Sequence, residues 1–167
     1  MKKLVFFSFV LIGGLAACNS ASDKSSSADS TKAMDTSKVM AKDTTPAIAP
    51  VPEIPAGAKV FFKNLKNGET VKSPLKVEFG VEGIALDTAG TIKPASGHHH
   101  LLIDAGDSLA AGMIVPKDST HLHFGKAQTE TEIKLTPGEH QLTLQYADGI
   151  HRSYGSKLAA TIKVKVK

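Results

Sequence analysis

The chain has 167 residues, with 20 Lys and Arg against 16 Asp and Glu, seven His, one Cys and no Trp. That is room for one domain of ordinary size, and a lone Cys excludes an internal disulfide, a Cys-rich zinc ribbon and a CxxC redox centre. Part of the net charge of +4 sits on Lys2 and Lys3; without them 18 basic residues face 16 acidic ones.

Residues 1–17 read as a leader. Lys2 and Lys3 form a basic n-region, and Leu4 to Leu15 is apolar but for Ser8, Gly13 and Gly14. A membrane-spanning helix needs about 20 apolar residues, so this stretch is too short to be one. It ends in Leu15-Ala16-Ala17-Cys18, which resembles the bacterial lipobox, where the Cys thiol takes a diacylglycerol and becomes the new N-terminus. The alternative is an ordinary signal peptide with an incidental Cys, but the only Cys stands where lipidation needs one. Two or more acyl chains anchor stably where one does not, so the mature protein is expected to be a lipoprotein held to a lipid bilayer through Cys18. Asn19 follows, and the resemblance to sorted bacterial lipoproteins implies delivery to the outer membrane, facing the periplasm or the surface.

Residues 18–57 read as the lipidated Cys and a disordered tether. From Asn19 to Gly57 the chain is mostly Ser, Thr, Ala, Asp, Lys and Pro, with few branched apolar residues and no aromatic one, a composition that cannot bury enough surface to offset its ordering entropy. As a coil it reaches on the order of 35 Å.

Residues 58–167 read as one all-β domain. The apolar period becomes two: Lys59 to Lys63 opens, Asn67-Gly68 turns, and Leu75, Val77, Phe79 and Val81 alternate with polar neighbours. Thr129 to Leu135 repeats the pattern, Thr136-Pro137-Gly138-Glu139 turns into His140 to Tyr146, and Ile162, Val164 and Val166 alternate with Lys163, Lys165 and Lys167. About seven strands at this spacing argue an antiparallel immunoglobulin-like β-sandwich, with a jelly roll as the competitor. No aromatic residue interleaves the terminal lysines, so they read as a wet face guarding an edge strand rather than a nucleic-acid stripe.

All seven histidines fall between positions 98 and 151. On a strand, residues two apart share a face about 7 Å apart, so His98 with His100 and His121 with His123 are two chelating pairs, whose rings converge if the strands are neighbours. Neutral imidazole suits zinc or copper(II), and nothing supplies the sulfur pattern of a Cu(I) carrier. Asp104 and Glu130 are candidates to orient a ring or complete a mixed site. His151, after the Asp148-Gly149 turn, is a further candidate ligand; His140 suits either ligation or a corner hydrogen bond; His99 points to the opposite face. The alternative is a structural cluster in an interaction module whose protein partners the sequence does not name. Walker, GxSxG and HExxH motifs are absent, so no reaction class is supported and a binding role is preferred to an enzymatic one.

The blocks Gly97-His98-His99-His100-Leu101-Leu102-Ile103-Asp104, His121-Leu122-His123-Phe124-Gly125-Lys126-Ala127-Gln128-Thr129-Glu130, Pro137-Gly138-Glu139-His140 and Asp148-Gly149-Ile150-His151 resemble a bacterial exported family of unknown function, number 4399. The resemblance covers about residues 59–167 and implies a domain rather than an activity. The family pattern has Gly where Ala127 stands, and a second His shortly after His151 where this chain has Arg152-Ser153-Tyr154. The cupin jelly roll also uses an H-x-H, an acidic residue and a later His; fitted here it would take His98, His100, Asp104 and His140 and imply a metalloenzyme.

Overall fold

The computed structural model describes residues 50–167. The leader, the Cys18 lipidation site and most of the tether lie outside the described residues. Among the described residues no helix is long and apolar enough to cross a membrane.

The described chain forms nine strands: β1 (Lys59–Phe62), β2 (Glu69–Val71), β3 (Leu75–Glu82), β4 (Ala85–Leu86), β5 (Ser96–Ile103), β6 (His121–His123), β7 (Glu130–Ile133), β8 (Gly138–Ala147) and β9 (Ala159–Val166). One 3-10 turn, Gly155–Leu158, precedes β9. The alternating runs expected from the sequence became β1, β3, β7, β8 and β9; the short β2 and β4 carry too few residues to show a period.

Two sheets make an all-β sandwich, one in the order β1-β3-β7 and the other β2-β9-β8-β5-β4, with β6 also paired to β5. Pairing is antiparallel except for β2 with β9 and β4 with β5. The core lies between the sheets, where Val77 and Phe79 of β3 meet Leu101 of β5 and Leu142, Leu144 and Tyr146 of β8, all fully buried. Each such side chain contributes roughly 1.5–3 kcal/mol relative to exposure. The Tyr146 hydroxyl, deep in this core, lies 2.7 and 2.8 Å from the carbonyls of Ala85 and Gly97 and ties β4 to β5.

Two local features depart from the sequence reading. β9 is no edge: β8 flanks one side and β2 the other, so Lys163 and Lys165 face water from inside a sheet. A three-residue strand distant in sequence supplied the missing neighbour, which no local pattern announces. Val51 and Ile54, within the tether's expected bounds, pack against the core.

Candidate metal centre

The two faces of β5 separate its three consecutive histidines. His99 turns inward with Leu101, its ring 5.3 Å from Phe79 and 5.0 Å from Tyr146. His98 and His100 turn to the outer face of the six-stranded sheet, as alternation requires. That face is roofed rather than wet. Residues 104–120 fold across it, and the Leu109 amide donates to Gln145 Oε1 (2.9 Å) while the Val115 amide donates to the His151 carbonyl (2.9 Å). Gly112 and Met113 exchange further backbone bonds with Ser153. His98 and His100 are buried beneath this roof and His99 in the core between the sheets, all at 0–1% exposure.

Four imidazoles meet beneath this roof: His98, His100, His123 and His151. All six ring pairs have centroids 4.7–5.8 Å apart. His98 Nε2 and His100 Nε2 lie 3.1 Å apart, as do His123 Nε2 and His151 Nε2. His98, His100 and His123 each offer a ring nitrogen within 4.8 Å of the others, and these three could hold a metal ion. Nitrogens about 2.0–2.1 Å from a tetrahedral zinc stand about 3.3 Å from one another, close to the observed spacing. A Cβ on Gly125 would run into the His123 ring, so the glycine leaves the space the ring occupies.

The donor set has the chemistry a cation requires. Burial, reinforced by the neighbouring rings, pushes His98 down to about 4 and His100 to about 2, and burial followed by His151 and Lys117 lowers His123. The two innermost imidazoles are thus neutral at physiological pH, the form that binds metal. Nδ1 of His98 and of His100 is buried with no hydrogen-bond partner among the described residues, an arrangement that costs about 1–3 kcal/mol for each buried donor left unpaired. Both Nε2 atoms point at the cluster, and an ion held there would leave the proton of each ring on Nδ1, which has no acceptor among the described residues.

His151 reaches the cluster through a tight loop built on one buried ion pair. Asp148 Oδ2 accepts from Arg152 Nε (2.8 Å) and Nη2 (2.7 Å), and Asp148 Oδ1 accepts from the amides of Ile150 (3.0 Å) and Arg152 (2.9 Å). The His151 amide donates to the Asp148 carbonyl, and His151 itself has φ +70°. A non-glycine residue held left-handed needs surroundings that over-determine it; the Asp148–Arg152 clamp provides them.

His121, paired with His123 in the sequence reading, does not join the cluster. The antiparallel register sets His100 opposite His123 and Leu102 opposite His121, whereas convergence of all four needed His98 opposite His123. His121 lies two residues beyond His100, and its Nδ1 is 2.8 Å from Asp118 Oδ1. His151 fills the fourth place. Asp104 and His140 pair with each other, Nδ1 to Oδ2 at 2.7 Å, and His140 Nε2 lies 2.9 Å from the Thr136 carbonyl. With an acceptor at each ring nitrogen, the protonated form of His140 is favoured and the ring is held as a corner residue. It stands five residues along β8 from Gln145, the partner of His100, about 17 Å away, so the cupin-type set is not assembled. Glu130 lies on the other sheet, 3.2 Å from Lys76 Nζ.

A cavity of about 310 Å³ opens onto the cluster, lined by His100, His123 and His151 on one side and Ile114, Val115, Pro116 and Lys117 on the other. The sequence reading missed this wall, since residues 105–119 carry no period and no motif. The clamp had a faint signal, an Asp and an Arg four apart around a Gly.

Residues 77–167 match the family described as a domain of unknown function (DUF4399), and the chain belongs to that family. The matched span holds all four clustered histidines, the roof and the clamp. No curated protein and no solved structure matches the chain.

Proposed function

For a member of this family, we propose a role as a lipid-anchored envelope protein that binds one divalent transition metal, zinc or copper(II), through His98, His100, His123 and His151. The convergence of four imidazole rings within 5.8 Å, two pairs of Nε2 atoms at 3.1 Å, carries the reading. Like-with-like packing of neutral imidazoles leaves their bare ring nitrogens facing one another, two of them on the fully buried His98 and His100, whereas an ion among the four Nε2 atoms makes each a donor. The anchor rests on the basic and apolar leader and the Cys at its end; the outer membrane is its proposed site, and the tether would hold the domain away from the lipid.

The test is elemental mass spectrometry on the full chain, purified without a histidine tag, beside a His100→Ala, His123→Ala double variant. Near-stoichiometric zinc or copper that the double variant lacks supports the reading. A chain that stays metal-free after incubation with both ions overturns it and leaves the cluster as a structural device.

A further inference from the structure

The charge of the metal-loaded site is uncompensated. The four imidazoles bring no negative charge, and among the described residues no carboxylate lines the cavity. Two carboxylates next to the lining in sequence are already committed, Asp148 to Arg152 and Asp118 to His121. Among the described residues the only charged side chain on the cavity wall is a cation, Lys117, which forms no ion pair with any of them. A dication beside an ammonium in a partly enclosed, low-dielectric space draws in an anion.

The opposite wall limits what kind of anion. Ile114, Val115 and Pro116 form an apolar surface, and Ile114 is 54% exposed at the rim, an apolar side chain with nothing over it. The volume, about 310 Å³, is at the lower end for small-molecule sites. Access is from one side, because His98 lies behind the other rings and is fully buried.

Building on the metal reading, we infer that the loaded site takes a small monocarboxylate: the carboxylate as counter-anion between the four-histidine metal and Lys117, and a short apolar chain along Ile114, Val115 and Pro116. An inorganic anion would satisfy the charge but leave the apolar wall without a partner.

Butyrate is the probe. The full chain is loaded with whichever of zinc and copper(II) it retains, its metal content is measured, and butyrate is titrated by calorimetry into the loaded and metal-free forms. Binding to the loaded form alone is expected, weakened about tenfold or more by Lys117→Gln, as loss of a charge-assisted hydrogen bond implies, and largely kept by Lys117→Arg. A loaded chain that takes up no butyrate overturns this inference and leaves the metal reading standing. Equal affinity in Lys117→Gln, or tighter binding of phosphate than of butyrate, overturns it as well. A chain that retains neither metal overturns both.

Discussion

His100 stands opposite His123 across the β5–β6 pair, and this single register decides which histidines share a site. His98 and His100 use one side of the cluster, His123 the other, and His121 is carried two residues past it to Asp118.

Metal content should therefore discriminate between two histidines that the sequence treats alike. His121→Ala is expected to retain full stoichiometry, His123→Ala to lose affinity by at least about tenfold, comparable to or beyond the loss of a supporting partner. Competition against a chromophoric chelator measures both. Equal losses would mean that β6 is displaced by one H-x-H step when metal binds.

The Asp148–Arg152 pair should behave as a buried clamp. Asp148→Asn removes the carboxylate that accepts from Arg152 Nε and Nη2 in a buried site, an effect of about 3–5 kcal/mol in urea unfolding. Pairing it with Arg152→Gln should recover part of that loss. Neither change touches a ring, so weaker metal binding in a folded double variant would show that the loop's shape aims His151.

How much of this was readable in advance divides along the range of the interactions. β3, β7, β8 and β9 show their alternation within six or seven residues, so the sandwich was legible, and so was the opposite facing of His99 against His98 and His100. Register is set by the packing of whole sheets, which is why His121 was placed with the cluster. His151 was seen only as an adjunct, because a left-handed residue in a loop has no periodic signature. Lys117 was not seen at all: its neighbourhood is created by the roof.

Acid should weaken the metal-free protein. Burial lowers His98 and His99 to about 4 and His100 to about 2, against about 6.5 in the unfolded chain. Between those values the unfolded state binds more protons, so stability falls as pH drops from about 6.5 toward 4. A loss of at least about 2 kcal/mol between pH 7 and pH 5 is expected in denaturant titrations; a flat profile would mean that the three rings are wet.

His140 works with the opposite sign. Its hydrogen bond to Asp104, together with the Thr136 carbonyl, raises its pKa despite partial burial. Its contribution is full below about 6.5 and lost as pH rises through the folded value. Asp104→Asn should bring the NMR titration of His140 back toward 6.5 without changing metal content.

Ala127 holds φ +58°, where a side chain costs about 1–2 kcal/mol and glycine costs nothing steric. Against the extra freedom glycine gives the unfolded chain, Ala127→Gly should still stabilise by about 0.5–1 kcal/mol. Gly125→Ala should do the reverse by displacing the His123 ring, visible as a drop in metal affinity larger than its effect on unfolding.

The outer-face position of the cluster has an evolutionary reading. The inward half of β5 serves the sandwich through His99 and Leu101, and the outward half serves the roofed site, so substitutions on one side leave the other's packing intact. Descendants of such a chain can exchange the roof loop, or reassign the ligands beneath it, while inheriting the same core. Divergence among relatives should then concentrate in the roof, residues 104–120, and the scaffold should outlast any particular occupant of the site.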